Sequence, residues 1–274
     1  MSETQEKDYV LGTHDEEVAR LALQHRVWRP TVLECWRRAG ITVGSRVLDV
    51  GAGPGCATVD LAEIVGATGE VLAIERSKRF IEVASEACAI RGLTHVRFIE
   101  ADLMEHEIDA VGFDAAWCRW VASFVPEPSK LVLRIARCLR PNGVAIFHEY
   151  MDYGTWRLSP RRLAVERFVA AVMESWRAAG GEPDVALLLP SLLRGAGFRI
   201  THAVPRVFTV SPRDFVWQWP ASFMESNLTR LLDLGRVAVD WVESVRQEFR
   251  EASADEGTLM TTPMLLEIIA RREH

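Results

Sequence analysis

An acid and three glycines stand together in a pattern that could hold a nucleotide. Asp49 ends an apolar run, and glycine then occupies every second position, at Gly51, Gly53 and Gly55. A ligand can approach the backbone of such a loop closely, because glycine lacks a Cβ and tolerates positive φ. Residues 57–65 are predicted to form a helix, whose N-terminus would face the same ligand. The sequence therefore predicts a nucleotide cradle at this point.

Two further acids lie at positions that suit an adenosine. Glu75 ends the next apolar run, 71–75, where a carboxylate can accept hydrogen bonds from both hydroxyls of a ribose. Asp102 follows the run 96–100, where an acid can accept a hydrogen bond from the exocyclic amine of adenine. Together with the glycine loop, these acids predict a pocket for an adenosyl group.

The spacing of the glycines discriminates between two classes of cofactor. A dinucleotide fingerprint, G-x-G-x-x-G, would require a glycine at position 56. The chain has Cys56 there, and Gly55 comes one position early. The third glycine of that fingerprint allows close packing of helix and strand beneath a pyrophosphate. Its absence argues against NAD or FAD and favours an adenosyl ligand without phosphates.

Strands that alternate with helices must position these residues. Strands are predicted over 46–50, 71–75, 96–100, 114–118 and 144–148, with helices over 57–65, 77–90 and 128–139. This alternation is typical of an α/β fold with a parallel sheet and helices on both faces. Ligands of such sheets bind outside the carboxyl ends of the strands, which is where the glycines and both acids fall.

The segments on either side are predicted to be mainly helical. An amphipathic helix over 15–39, interrupted near Pro30, either packs on the sheet or forms an N-terminal helical lid over 1–40. The remaining unit, 41–274, carries helical insertions at about 155–195 and 212–255, the first starting at Ser159-Pro160. One long strand is predicted over 197–210, and a last strand over 264–270 is favoured over a terminal helix.

The ordered set of motifs resembles the class I S-adenosylmethionine-dependent methyltransferases. The matching segments are 47–55, Glu75, 101–103, 113–117 and the turn 139–143, where Asn142 replaces one glycine of the usual turn. Within that family, the chain is most similar to bacterial small-molecule methyltransferases of the ubiquinone/menaquinone C-methyltransferase type. The resemblance implies a Rossmann-like sheet of order 3-2-1-4-5-7-6 whose seventh strand is antiparallel.

The motifs and the resemblance give a set of expected site residues. S-adenosylmethionine is expected to contact Tyr9, Gln24, Asp49, Gly51, Ala52, Gly53, Gly55, Glu75, Arg76, Ala101, Asp102, Leu103 and Arg119. The acceptor is expected to contact Trp120, His148, Tyr150, Tyr153 and Trp156. His148 is the candidate general base, the alternative being a hydrogen-bonded histidine that shapes the pocket. Three further aromatics either cover the acceptor or form a hydrophobic seam or dimer contact, namely Trp217, Trp219 and Phe223.

Composition excludes several other classes. The net charge of −6 gives no electrostatic footprint for nucleic acid, and the motif of amino-methylating nucleic-acid enzymes is missing after the fourth strand. The five cysteines have no metal-binding or redox spacing, so we expect buried thiols, no metal and a cytoplasmic location. The polar N-terminus is not a signal peptide, and no apolar run reaches the roughly 20 residues of a membrane span.

The expected reaction is therefore an in-line transfer of methyl from S-adenosylmethionine to a small, aromatic or partly apolar acceptor, at oxygen or carbon. Proximity and orientation supply most of the acceleration in such a displacement. A base is needed only if the acceptor is protonated near pH 7. Two alternatives stay open: a protein of this fold that catalyses another reaction, such as a cyclisation, and a non-catalytic cofactor-binding or interaction protein. A homodimer is also open.

Overall fold

The computed structural model describes residues 14–273, and its strands form two sheets. In chain order the strands are β1 (Arg46–Val50), β2 (Glu70–Glu75), β3 (Val96–Glu100), β4 (Phe113–Arg119), β5 (Leu139–Asp152), β6 (Arg157–Ser159), β7 (Phe198–Arg206), β8 (Thr209–Val210), β9 (Leu259–Thr261) and β10 (Met264–Arg272). Seven of them form one sheet in the order β3-β2-β1-β4-β5-β10-β7. Strands β1 to β5 pair in parallel, and β10 is antiparallel to both neighbours. Counted within this sheet alone, β7 is the sixth strand and β10 the seventh, so the predicted order is confirmed.

Helices cover both faces of the large sheet, as expected for this class of fold. They are α1 (Asp15–Ala39), α2 (Cys56–Val65), α3 (Lys78–Ile90), α4 (Pro128–Cys138), α5 (Leu163–Ala178), α6 (Leu189–Gly195), α7 (Gln218–Asp233) and α8 (Val239–Ala254). Successive side chains of a strand point to opposite faces, so Val47 and Leu48 of β1 enter different cores. One core contains residues of α1, α2, α5, α7 and α8, and the other contains residues of α4 and α6.

Helix α1 runs without interruption through Pro30, so the predicted break there is wrong. A proline inside a helix removes one hydrogen bond to the preceding turn. Pro30 lies on the exposed side of α1, where solvent can bond the freed carbonyl, while Trp28 and Val32 are fully buried. Burial of the apolar side therefore holds the helix across the proline.

The segments after β5 differ from prediction in two places. The predicted strand 197–210 is two strands, because β7 pairs with β10 whereas β8 pairs with β9 in a separate sheet of order β6-β9-β8. The first inserted helix begins at Leu163 and not at Ser159, which ends β6. A sequence pattern shows which residues are extended, but it does not show which strand they pair with. The helices of both insertions and the last strand, β10, are confirmed.

Candidate functional site

The carboxyl ends of β1 and β2 are tied together by Glu75. Its Oε2 accepts a hydrogen bond from Gly53 N at 2.9 Å, and its Oε1 accepts from Arg76 N and Ser77 N, each at 2.9 Å. Ser77 in turn caps α3 by accepting from Phe80 N. Burial raises the pKa of Glu75 although three backbone N–H groups bond it. The acid predicted to bind a ribose therefore also holds the glycine loop in place.

The glycines of this loop serve two different purposes. A Cβ on Gly55, where φ is +81°, would lie 2.4 Å from Ala84 Cβ and 2.9 Å from Ala84 Cα. Glycine is required there because α3 packs directly against the start of α2. A Cβ on Gly53 would meet no atom within 4 Å, since this residue lines an open cavity. The backbone at Gly53 is therefore accessible to a ligand.

Asp49 lies beneath the same loop and is almost completely buried. Its Oδ2 accepts a hydrogen bond of 2.6 Å from Thr58 Oγ1 in α2. Burial raises the pKa of Asp49 to about 6. Asp49 also contributes to the cavity wall. This position fits the predicted supporting role, with room for contact to a ligand.

The segment after β3 forms the next part of the wall, and it contains the predicted adenine-binding residues. Ala101 N donates to Glu75 O at 3.0 Å, so the segment continues beside the end of β2. Asp102 Oδ1 accepts a hydrogen bond of 2.7 Å from Met104 N. The Leu103 carbonyl accepts from Arg134 of α4, which anchors the segment from behind.

One cavity of about 500 Å³ lies at these strand ends. Its wall brings together the expected cofactor residues of the described range: Gln24, Asp49, Gly51, Ala52, Gly53, Glu75, Arg76, Ala101, Asp102, Leu103 and Arg119, while Gly55 lies just behind. Tyr9 lies outside the described residues. The apolar part of the wall was not predicted from the sequence. It comes from α1, α3 and several loops, and it includes Leu21, Phe80, Val121, Phe124, Val125, Pro126 and Ala179.

Arg119, the last residue of β4, lies in this wall among aromatic rings. Its guanidinium carbon is 4.8 Å from the centroid of the Trp120 ring and 5.7 Å from that of Trp117. Nη2 lies 3.0 Å from His25 Nδ1, whereas Nη1 is buried and has no hydrogen-bond partner among residues 14–273. Burial lowers the pKa of Arg119 to about 10, so the group remains a cation at neutral pH. Arg119 can therefore receive an anionic group in the cavity.

Trp120 follows Arg119 and forms an aromatic wall. Its backbone has a φ of +53°, which is rare for a bulky residue. The Trp120 ring stacks on Tyr150, with centroids 5.8 Å apart, and on Trp219, at 6.1 Å. Trp219 Nε1 donates to Gln24 Oε1 at 3.2 Å. The indole therefore has a fixed orientation in the cavity wall, although its backbone conformation is unfavourable.

Glu149 of β5 holds the loop that follows Trp120. Its Oε1 accepts from Val121 N at 2.8 Å and from Ala122 N at 2.9 Å, and its Oε2 accepts from Ser123 Oγ at 2.9 Å. The side chain is fully buried, and burial raises its pKa to about 7. Glu149 was not among the site residues expected from the sequence. A short polar segment at a strand end was the one signal that could have marked it.

His148 does not line the cavity, which corrects the expectation that it contacts the acceptor as a general base. It is fully buried, its Nε2 lies 2.8 Å from Glu267 Oε2, and its ring lies 5.0 Å from the Trp117 ring. Burial lowers the pKa of His148. A base must reach the proton that it removes. The alternative, a hydrogen-bonded histidine that shapes the interior, fits this position.

Glu267 is the centre of a buried polar network around His148. His202 Nε2 lies 3.0 Å from Glu267 Oε1, and Arg206 Nη2 donates to the same oxygen at 2.9 Å. Although burial alone would raise it, hydrogen bonds from His148 and Arg206 hold the pKa of Glu267 at about 2. Ligand-type atoms of Cys35, His148 and Glu267 lie within 4.8 Å of one another, the one such group among the described residues. Arg206 already neutralises the carboxylate, so the arrangement is explained without an ion.

Three other residues predicted to contact the acceptor, Tyr150, Tyr153 and Trp156, are buried behind the cavity wall. Tyr150 stacks behind Trp120 and is 4% exposed, whereas Tyr153 and Trp156 are each 1% exposed and belong to the core. None of the three lines the cavity. The expectation that they stack on the acceptor is therefore corrected: they pack against the inserted helices, and Trp120 alone of these aromatics reaches the cavity wall.

The aromatics of the second insertion form a seam rather than a cover. Trp217 stacks on Phe249 of α8, with centroids 5.5 Å apart. Phe223 packs against Tyr153 and Trp156. All these rings except Phe249 are buried, and none lines the cavity. Of the three alternatives, namely a cover over the acceptor, a hydrophobic seam and a dimer contact, the contacts favour the seam.

No helix among the described residues is long and apolar enough to span a membrane. All five cysteines are free thiols. Cys56 differs from the other four, because it is half-buried and lines the cavity at the start of α2.

Comparison with known proteins supports the same class of domain. Residues 48–147 match a family model described as a methyltransferase domain. Curated demethylmenaquinone methyltransferases from strains of Staphylococcus aureus are 32% identical over 123 residues, which cover 45% of this chain and 49% of theirs. The chain thus spans about half the length of the curated relatives it matches.

Solved structures extend the likeness to most of the fold. A [4+2]-cyclase, SpnF, is 24% identical with a TM-score of 0.55, over 89% of this chain and 80% of that one. A Haemonchus contortus phosphoethanolamine N-methyltransferase, solved with S-adenosylhomocysteine, is 17% identical with a TM-score of 0.56, over 94% of this chain and 58% of that one. The predicted resemblance to class I methyltransferases is confirmed.

Proposed function

We propose that this chain transfers a methyl group from S-adenosylmethionine to a small acceptor that is aromatic or partly apolar. The observation that supports this most is the cavity at the strand ends, around which Gly53, Glu75 and Asp102 converge. Those residues lie within or beside the matched methyltransferase domain. Ligands of open α/β sheets bind at this edge.

The residues present fit the methyl donor at both of its ends. Carboxylate oxygens of Glu75 suit the ribose hydroxyls, and Asp102 with the Ala101–Leu103 backbone suits the adenine edge. The cation of Arg119, with a buried Nη1 that lacks a partner among the described residues, suits the carboxylate of the methionine part. When bound, the donor supplies a methyl group on a positively charged sulfur. The protein's part is to hold donor and acceptor in line and to exclude water.

The acceptor is best accommodated near Trp120. Its ring stacks on Tyr150 and Trp219, and Leu21, Phe124 and Val125 add apolar surface. A flat aromatic acceptor suits such a wall. The curated relatives are named for a quinone-type acceptor, which supports the same class of compound. No histidine lines the cavity among the described residues, so we propose that the acceptor loses its proton to solvent and not to a histidine of the protein.

Helix α1 contributes Leu21 and Gln24 to the cavity wall. We propose that it acts as the helical cover of the site. The division into a lid over 1–40 and a catalytic unit over 41–274 stays a prediction. Removal of water from the reacting groups strengthens every electrostatic interaction in the site.

A second candidate is a reaction other than methyl transfer, such as a cyclisation of a bound substrate. The observation that favours keeping it is the lack of a histidine in the described cavity wall, because a cyclisation governed by shape and orientation needs no base. The fold likeness to a [4+2]-cyclase is compatible with this reaction. A third possibility is a protein that binds the cofactor without turnover. It predicts binding of S-adenosylmethionine and no conversion of any acceptor.

The experiment is equilibrium binding followed by turnover. S-adenosylmethionine and S-adenosylhomocysteine are titrated by calorimetry beside NAD, and the protein is then incubated with S-adenosylmethionine and a panel of phenols, hydroquinones and naphthols. We expect micromolar binding of both adenosyl compounds, no binding of NAD, and one S-adenosylhomocysteine for each methylated product. Binding with a converted substrate but intact S-adenosylmethionine would favour cyclisation. Failure to bind S-adenosylmethionine would refute the proposal.

A further inference from the structure

Three polar side chains form a line of contacts from helix α2 to the cavity wall. Asp60 of α2 lies 3.0 Å from His25 of α1, measured from Oδ2 to Nε2. The other ring nitrogen of His25, Nδ1, lies 3.0 Å from Arg119 Nη2. Asp60 and His25 are 7% and 5% exposed. These residues come from three separate elements, so the line exists only in the folded chain.

The chemistry of the two partners fixes the state of the His25 ring. A guanidinium has only donors, so His25 Nδ1 must accept a hydrogen bond from Arg119. An ionised carboxylate has only acceptors, so His25 Nε2 must carry the proton that bonds Asp60. Both conditions are met by the neutral ring with its proton on Nε2. Burial and the nearby charge of Arg119 agree with this state, because both lower the pKa of His25.

Asp60 also pairs with Arg29 of α1. Arg29 Nε donates to Asp60 Oδ2 at 2.7 Å, and Arg29 Nη2 donates to Oδ1 at 3.2 Å. Arg29 therefore offsets much of the charge of Asp60, and Arg119 contacts His25 and not the carboxylate itself. Arg119 instead meets a neutral acceptor, His25 Nδ1, and keeps its full charge for another group.

The neighbours of Arg119 leave one nitrogen of its guanidinium, Nη1, without a partner among the described residues. The ring centroids of Trp117 and Trp120 lie within 6 Å of the guanidinium carbon, and His25 bonds Nη2. Nη1 is left buried and without a partner within the described chain, on a residue that lines the cavity. A buried cation with unmet donors is costly unless an anion completes it. The geometry therefore suits a carboxylate that enters through the cavity.

We propose that His25, fixed by Asp60, is a positioning residue. By accepting a hydrogen bond from Arg119 Nη2, it turns the Nη1 side of the guanidinium toward the carboxylate of the donor's methionine part. This inference rests on the proposed function and extends it to residues outside the cofactor motifs. Because His25 belongs to α1, the same contact joins the helix that covers the cavity to the group that recognises the donor.

Two substitutions of His25 separate its two bonds. In His25→Asn, the amide oxygen can occupy the place of Nδ1 and accept from Arg119, while the bond to Asp60 is lost. In His25→Gln, the amide nitrogen can occupy the place of Nε2 and donate to Asp60, while the acceptor for Arg119 is lost. Both variants are neutral and polar, so each is the matched control of the other.

The readout is the ratio of two dissociation constants measured by calorimetry. S-adenosylhomocysteine carries the carboxylate, whereas methylthioadenosine has the same adenosyl part without it. We expect His25→Gln to weaken S-adenosylhomocysteine by about tenfold or more, the usual scale of a charge-assisted hydrogen bond, and to leave methylthioadenosine unchanged. His25→Asn is expected to stay within about threefold of the wild type. Arg119→Gln removes the cation itself, so its loss of affinity for S-adenosylhomocysteine is the largest that this contact can cause.

Several results would overturn the inference. Equal weakening by both His25 variants, or parallel loss of both ligands in variants that unfold at the wild-type urea midpoint, would reduce His25 to a packing residue. A ¹⁵N spectrum of the wild type at about pH 6.5, where a free histidine is half charged, must show His25 mainly neutral with its proton on Nε2. A wild-type protein that binds neither ligand would refute the proposed function itself, whereas binding of both with an unchanged ratio would refute only the role of His25.

Discussion

Replacement of Glu149 would test how the wall of the cavity is held. This buried carboxylate accepts hydrogen bonds from Val121 N, Ala122 N and Ser123 Oγ, and it thereby fixes the loop that follows Trp120. Trp120 has a positive φ, a conformation that persists only where neighbouring contacts enforce it. Glu149 supplies three of those contacts.

The structure gives different magnitudes for two substitutions. Glu149→Ala leaves three buried donors without an acceptor, and each costs about 1–3 kcal/mol, so a loss of roughly 3–9 kcal/mol is expected. Such a loss is a large part of the 5–15 kcal/mol that is typical of a whole domain. Glu149→Gln keeps one oxygen for the two backbone N–H groups, and its amide can donate to Ser123 Oγ. We expect it to cost only about 1 kcal/mol at pH 5.

The pH dependence follows from the direction of the pKa shift. Burial raises the pKa of Glu149 to about 7 in the folded protein, from the ordinary glutamate value of 4.5. The folded state therefore holds this proton where the unfolded state has lost it. The resulting stabilisation is present near pH 5 and disappears as the pH rises through 7, a change of about 2–3 kcal/mol between pH 5 and pH 8. Asp49, whose pKa is raised to about 6, adds a change of the same sign in both proteins.

The assay is urea unfolding of the wild type, Glu149→Gln and Glu149→Ala at several pH values from 5 to 8. Glutamine cannot titrate, so the free energy of unfolding of Glu149→Gln should gain about 2–3 kcal/mol on that of the wild type over this range. The contribution of Asp49 cancels in the difference. Parallel curves for wild type and Glu149→Gln would refute the reasoning about burial, and equal losses in the alanine and glutamine variants would refute the reasoning about the three donors.

Three further substitutions test other parts of the site. Gly55→Ala should cost roughly 2–5 kcal/mol in urea unfolding, because its Cβ would strike Ala84. Gly40→Ala, which has the same left-handed backbone and no atom within 4 Å, should cost about 1–2 kcal/mol, and equal costs would contradict the close approach. Glu75→Gln should weaken S-adenosylhomocysteine by about tenfold to a hundredfold in calorimetry, and an unchanged affinity would remove its ribose-binding role. His148→Gln should lower stability but leave the pH profile of methyl transfer unchanged, and loss of a titration step from that profile would restore its role as a base.

The donor half of the site was predictable because its residues follow one another along the chain at fixed places. Asp49, Glu75 and Asp102 each end or follow an apolar strand, and the ends of parallel strands meet at one edge. The strand order and the antiparallel β10 followed from the resemblance that these motifs carry. Local spacing was therefore sufficient for this half.

The acceptor half was less predictable because it depends on contacts between distant segments. Tyr153 and Trp156 follow β5 closely, yet they lie in the core because the inserted helices cover them. His148 has the residue type of a base, but Glu267, which bonds it, comes more than a hundred residues later. Strand alternation does not reveal the partner that buries a side chain. For the same reason the line from Asp60 to Arg119 was not visible in the sequence.

The place of β10 in the sheet has a consequence for how the protein is made. Strand β10 lies between β5 and β7, but it is synthesised after both. Until it emerges, the facing edges of β5 and β7 have no partner, and unpaired strand edges invite association with other chains. Glu267, which neutralises Arg206 and bonds His148, arrives with the same strand. The nucleotide-binding half can thus form during synthesis, whereas the sheet closes and its buried charges are paired only when this late strand inserts.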